Sequence, residues 1–180
     1  MIYLFLAEGF EECEAIAPID ILRRAEIEIK TVGIGSKCIT GSHGIPIICD
    51  LEEKELTPEG LEGIILPGGM PGTLNLEKSE TVQKYIDISA QKNLLLAAIC
   101  AAPSVLGHKN LLKGKKATCF TGFEKDLYGA EVVNEPAVID GKIVTAFGAG
   151  AALDFGFKTV EVLKGKVFAE NLAKQMRYLK

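Results

Sequence analysis

Positive charge is in short supply in this chain. Its 180 residues carry 20 lysines and arginines against 24 acids, a net charge of −4. The lysines are scattered, and their one short run, KGKK at 113–116, reads as a solvated turn. The electrostatic footprint of a nucleic-acid or anionic-membrane binder is therefore missing. The N-terminal apolar run lacks a basic flank and a small-residue cleavage site, and acids follow it at once, so it reads as a first strand and not as a signal peptide or anchor. The five cysteines, at 13, 38, 49, 100 and 119, form no CxxC and no zinc spacing. Nothing in their odd number and irregular spacing builds a disulfide framework, and the expectation is a reduced, cytoplasmic protein without a metal. Repeats, low-complexity tracts and linkers are absent too. With 48% hydrophobic and 24% charged residues, the chain has the composition of one packed domain, residues 1–180.

Strand-like and helix-like stretches alternate along the whole length. IYLFLA (2–7) reads as a buried strand, and EAIAPIDILRRA (14–25) as a helix with apolar positions 16, 19, 21 and 22 on one face and Pro18 in its first turn. Strands follow at 27–35, in two pieces within 38–50, and at 62–69, where the chain runs into glycines; a helix is expected near 79–92. The apolar run LLLAAIC (94–100) feeds a helix of its own. Short strands at 116–120 and 130–134 precede a hairpin at 137–147, whose Asp140-Gly141 pair favours a type I′ turn. Two helices, 150–164 and 165–179, complete the chain with Gly165 as the break. Alternating βα units with fully apolar strands imply a mostly parallel sheet covered on both faces, with added hairpins. In such a sheet, sites lie beyond the carboxyl ends of the strands, which gathers the loops 8–14, 67–72 and 100–102.

Cys100 stands at the junction of a strand and a helix, followed by two alanines and preceded by two more before Ile99. A nucleophile on a tight strand–helix turn needs small neighbours. The helix beyond it would aim free N–H groups at the sulfur and favour thiolate over thiol. An ordinary buried cysteine fits the same position. Pro67-Gly68-Gly69 after a buried strand could turn N–H groups into the cleft as an oxyanion hole, or could be only a tight turn. Glu14, in the acidic stretch EGFEECE, could hydrogen-bond the sulfur or shuttle a proton. As helix N-terminal charge, Glu11, Glu12 and Glu14 are equivalent.

The motifs AAICAAP (97–103), LPGG (66–69), AEGFEECE (7–14), SHGIPI (42–47) and the stretch from Thr145 to Gly156 fall in one order along the chain. Together they resemble the ThiJ/PfpI superfamily, in the branch of the parkinsonism-associated protein deglycase and its bacterial relatives. The resemblance implies a flavodoxin-like three-layer α/β sandwich, a homodimer, and a cytoplasmic protein without a cofactor. It makes Cys100 the reactive nucleophile, Glu14 its carboxyl partner, and the N–H groups of Gly69 and Ala101 the oxyanion donors, with Gly68 and His43 as accessory positions. Two departures stand out. Many members carry a histidine where this chain has Phe120, after Cys119, and His43 occupies a position that is often arginine.

Only two histidines are present, and His108 should sit roughly 12 Å from Cys100 along its helix. A papain-like or amidotransferase triad needs an imidazole within hydrogen-bond reach of the sulfur, and the H-x-E pair of class I glutamine amidotransferases is absent, so a peptidase is not expected. The Gly148-Ala149-Gly150 and Gly33-Ile34-Gly35 pairs lack the remaining features of a dinucleotide loop. Two functions stay open. One is a cysteine-dependent enzyme acting on a small aldehyde or on glycated protein, of glyoxalase or deglycase type. The other is a non-catalytic oxidative-stress sensor or chaperone-like protein whose Cys100 is oxidised to sulfinic acid.

Overall fold

The computed structural model describes residues 1–178. A seven-stranded sheet forms its centre. In chain order the strands of the molecule are β1 (Ile2–Leu6), β2 (Ile29–Gly33), β3 (Cys38–Thr40), β4 (Pro46–Ile48), β5 (Leu51–Glu52), β6 (Gly63–Leu66), β7 (Leu95–Ile99), β8 (Lys116–Ala117), β9 (Glu131–Val132), β10 (Ala137–Asp140) and β11 (Ile143–Ala146). The helices are α1 (Glu12–Arg24), α2 (Gly72–Lys78), α3 (Glu80–Gln91), α4 (Pro103–His108), α5 (Ala152–Lys164) and α6 (Lys166–Gln175). The main sheet runs β10-β11-β7-β6-β1-β2-β5, with every pairing parallel except the β10–β11 hairpin. The hairpin β3–β4 and the pair β8–β9 lie outside it.

The apolar strands explain the layers. Successive side chains of a strand point to opposite faces, and β1 is buried on both. Ile2, Leu4 and Leu6 join Ile21, Leu22, Phe155 and Val160 of α1 and α5 on one face. Tyr3 and Phe5 join Val82, Tyr85 and Ile86 of α3 on the other. The Tyr3 ring meets Tyr85 edge-on at 5.5 Å, and its hydroxyl donates to the Thr57 carbonyl at 2.9 Å, so the buried phenol is satisfied. With helices on both faces of a mostly parallel sheet, the expected flavodoxin-like sandwich is what the chain forms. Among the described residues no helix is long and apolar enough to cross a membrane.

Several local expectations are corrected. Helix α1 begins at Glu12, two residues early, because acids at its start complement the helix dipole. Pro18 therefore lies in the helix interior and leaves the Glu14 carbonyl without its usual donor four residues on. In the last hairpin Asp140 pairs with Ile143, so the loop residues are Gly141 and Lys142. Only Gly141 of these two has a positive φ, which excludes the type I′ turn. A short helix, α2, fills the stretch between the Gly68-Gly69 loop and α3 that sequence periodicity left blank. The strands expected at 116–120 and 130–134 shrink to the residue pairs of β8 and β9. Helix α6 ends at Gln175; residue 179, the expected end, lies outside the described residues.

Helix α4, which carries the chain away from Cys100, is pinned by a close approach. A Cβ at Gly107 would lie 2.1 Å from the Asp126 carbonyl oxygen and 2.8 Å from Leu127 Cα. Helix propensity alone makes Gly107→Ala stabilising by about 1 kcal/mol. The contact with backbone reverses the sign, and urea denaturation should show a net loss of about 1–3 kcal/mol. A stabilised Gly107→Ala protein would contradict this packing.

Candidate active site

Strands β1, β6, β7 and β11 are consecutive parallel neighbours, so the loops that follow them converge at one edge of the sheet. The chain passes these loops through one another with almost no clearance. A Cβ on Gly68 would sit 2.6 Å from both Cys100 Cβ and Glu14 Oε2, and one on Gly69, at φ +89°, would sit 2.4 Å from the Glu11 nitrogen. Hydrogen bonds fix the approach. The Glu11 N–H donates to the Gly68 carbonyl at 3.0 Å and the Gly72 N–H to the Gly9 carbonyl at 3.2 Å. The paired glycines are thus required by contact as well as by turn geometry.

Cys100 has φ +66°, in the left-handed region that a non-glycine residue occupies at a cost. Both its backbone groups are tied down. Its N–H donates to the Ala146 carbonyl at 2.9 Å, extending the β7–β11 ladder, and its carbonyl accepts from the Phe120 N–H at 2.8 Å. Ala101 and Ala102 beyond it are buried, as a crowded elbow demands. Helix α4 starts only at Pro103, so the N–H groups that reach the sulfur are those of Ala101, in the turn, and Gly69, from the neighbouring loop.

Glu14 projects from the third position of α1 and is 1% exposed. Its Oε2 accepts from the Gly68 N–H at 2.9 Å, and its carboxyl is hydrogen-bonded to the Cys100 thiol. Burial pushes Glu14 up to about 7, against the opposing pull of the hydrogen bonds from Cys100 and Gly68. Burial, then the charge of Glu14, then its hydrogen bond push the Cys100 thiol up to about 12, while the Gly69 and Ala101 N–H groups pull it down. The expectation that N–H groups at the elbow would favour thiolate over thiol is thus corrected: the Gly69 and Ala101 donors do so, but burial and Glu14 outweigh them. The two groups form a coupled acid pair. Between those values the pair holds one proton and one negative charge, which the hydrogen bond lets either atom carry.

The remaining expected positions are elsewhere. His43, at the tip of the β3–β4 hairpin, is exposed, and its Nδ1 lies 3.0 Å from Glu12 Oε2 and 3.4 Å from Glu11 Oε2. His108 is bound to Glu77 at the end of α4. The three acids that sequence could not separate have three partners. Glu14 faces the sulfur, while Glu11 takes the Ser42 hydroxyl at 3.1 Å. Glu12 is buried against the hairpin tip, where it accepts from the His43 N–H at 2.8 Å and the Ile45 N–H at 3.3 Å. Burial raises the Glu12 carboxyl, but these bonds and the His43 side chain outweigh it and bring it down to about 2; His43 is raised in turn by the Glu12 hydrogen bond and the charges of Glu11 and Glu12. The fold thus gathers Glu11, Glu12 and His43, whose ligand-type atoms lie within 4.8 Å of one another, although sequence showed only dispersed histidines and cysteines. Hydrogen bonds to the hairpin already occupy the Glu12 oxygens.

Sequence reasoning also missed a cleft of about 630 Å³ beside the elbow, reached by Phe120 and Gly148. Phe120 bonds the Cys100 carbonyl through its N–H, and a Cβ on Gly148 would lie 3.2 Å from the Phe120 ring and 3.9 Å from Glu14 Oε1. The Gly148-Ala149-Gly150 sequence signalled a loop there, with no sign of what it faces.

The same arrangement of chain recurs in known proteins. The model of the DJ-1/PfpI family matches residues 1–162. Protein DJ-1 homolog B of Arabidopsis thaliana is 36% identical over 164 residues, which are 89% of this chain and 37% of that protein, so the chain spans well under half of its length. The glutathione-independent glyoxalase DJR-1.2 of Caenorhabditis elegans is 28% identical over 171 residues, 94% of this chain and 91% of that one. The solved structure of oxidized Toxoplasma gondii DJ-1 superposes with a TM-score of 0.94 at 30% identity, covering 99% of this chain and 98% of the other. On this evidence the chain belongs to the DJ-1/PfpI family.

Proposed function

We propose that the chain is a cysteine-dependent enzyme acting on reactive carbonyls, free α-oxoaldehydes or the adducts they form on protein amines and thiols. The carrying observation is the hydrogen bond between Cys100 and the buried Glu14, with the Gly69 and Ala101 N–H groups at the sulfur. A relative whose name is glyoxalase supports the same class. In this reading the protein works in the cytoplasm as a homodimer, without a cofactor.

With methylglyoxal, the thiol proton moves to the Glu14 carboxylate and the thiolate adds to the aldehyde carbon. The C=O electron pair moves onto oxygen, which the Gly69 and Ala101 N–H groups stabilise and which Glu14 then protonates to give a hemithioacetal. Glu14, again a carboxylate, takes the proton from that carbon and returns it to the former ketone carbon, while the hydroxyl proton passes to the ketone oxygen. The product is a 2-hydroxyacyl thioester of Cys100. One carbon is oxidised and its neighbour reduced, so no outside electron acceptor is needed. Water hydrolyses the thioester to lactate and restores the thiol. A carboxyl near 7 is suited to both directions of proton transfer at neutral pH. Cys100→Ala should lose lactate formation from methylglyoxal to the uncatalysed level, and Glu14→Gln should lose about 10²–10⁴-fold in kcat. A Cys100→Ala protein as fast as the parent would overturn the proposal.

A second reading, an oxidative-stress sensor or chaperone-like protein, draws on the same donors. Peroxide would oxidise the thiolate to sulfenate and a second peroxide would give sulfinate, each releasing water. The N–H groups and a protonated Glu14 would then hold the new oxygens. Mild peroxide should add oxygen mass at Cys100, which is partly exposed, before the buried Cys49 and Cys119 and before the exposed Cys13 and Cys38. Peptide mass spectra showing Cys13 or Cys38 modified first would count against it.

A further inference from the structure

The 630 Å³ cleft beside the elbow is larger than methylglyoxal needs and falls in the range, roughly 300–1,000 Å³, of pockets that hold much bigger ligands. Phe120, Phe147 and Val132 give it apolar surface, and Thr121 and Asn134 give it neutral polar groups. Among the described residues its lining contains one carboxylate, Glu124, and no lysine, arginine or histidine. Glu124 accepts from the Gly122 N–H with Oε2 at 2.8 Å. Its charge reaches Cys119 in the cleft lining, which is pushed up to about 11 by burial and then by Glu124 and Asp126. The cleft also abuts the Cys100–Glu14 pair through two of its lining residues: the Phe120 N–H donates to the Cys100 carbonyl at 2.8 Å, and a Cβ on Gly148 would lie 3.9 Å from Glu14 Oε1.

We infer that this cleft receives the substituent of the compound attacking or attacked at Cys100, and that Glu124 makes it a charge filter. Neutral and cationic substituents, such as the guanidinium or ammonium side of a glycated residue, are admitted, and carboxylates are disfavoured. As a statement about substrates this rests on the carbonyl-enzyme reading; as a statement about access to the thiol it stands without it. An acid at the cleft wall acts on a ligand's charge by simple Coulomb attraction or repulsion, weakened by water and salt.

The test uses methanethiosulfonates, which transfer their RS group to a thiolate and release methanesulfinate. The neutral methyl, the cationic trimethylammonioethyl and the anionic sulfonatoethyl reagents are compared by mass spectrometry of the Cys100 peptide. Dividing each charged rate by the neutral rate cancels differences in thiolate fraction. The cation-to-anion ratio should exceed one in the parent and fall about fivefold in Glu124→Gln, the effect of one screened charge at a few ångströms. The preference should also shrink in 1 M salt. A ratio that Glu124→Gln leaves unaltered overturns the filter. In turnover, the parent should favour phenylglyoxal over 4-carboxyphenylglyoxal, and Glu124→Gln should narrow that gap. A protein inactive on both aldehydes but charge-selective at Cys100 would overturn the enzyme reading and keep the filter; an active one without charge selectivity would do the reverse.

Discussion

A single hydrogen bond, from the Cys100 thiol to the buried Glu14 carboxyl, is the constraint around which the sheet edge is built. Neither group is at ease alone. The carboxyl is 1% exposed and the sulfur is held at a left-handed elbow. A buried carboxylate without donors is costly, and the Gly68 N–H supplies one. That donor can approach only because residue 68 has no side chain to meet Cys100 Cβ and Glu14 Oε2 at 2.6 Å. The elbow strain is carried by two backbone hydrogen bonds, to Ala146 and from Phe120. One proton shared by two acids therefore depends on contacts from four loops.

Much of this was legible in the sequence, and for identifiable reasons. Fully apolar strands such as 2–6 and 95–99 alternate with amphipathic helices, and that pattern alone specifies a two-sided sheet. Parallel order then sends the loops after β1, β6 and β7 to one edge, so Cys100, Glu14 and Gly68-Gly69 could be placed together without coordinates. What stayed hidden depends on long-range contact. Helix dipole arguments treat Glu11, Glu12 and Glu14 alike, and only the β3–β4 hairpin separates them, by drawing Glu12 and Glu11 to Ser42 and His43. The direction of the Cys100 shift was also beyond sequence, because it is the balance of burial and Glu14 against two N–H donors. Pro18 and the Gly141-Lys142 turn were misread for a plainer reason: each hangs on where an element begins, which propensity leaves open by a residue or two.

Phe120 gives the site its particular character. It stands where the superfamily resemblance implies a histidine, and its N–H anchors the elbow while its ring is half exposed at the cleft. No imidazole joins the Cys100–Glu14 pair: His43 is held by Glu12 and Glu11 and His108 by Glu77. In the proposed reaction, proton traffic at the sulfur is then left to one carboxyl. Such a pair needs no low thiol pKa to react. It needs only that the monoanion pass its charge from Glu14 to sulfur at the moment of attack, at the expense of a small equilibrium fraction of thiolate.

The pH dependence of Cys100 alkylation by iodoacetamide, in the parent and in Glu14→Gln, reads this sharing directly. Loss of the pair's first proton creates the species that can carry thiolate, so the parent rate should rise through about 7, level off, and rise again only toward 12. In Glu14→Gln the step near 7 should vanish, and the thiol, freed of its anionic neighbour, should titrate in one step below 12. One step near that of free cysteine, about 8.5, in both proteins would contradict the shared proton.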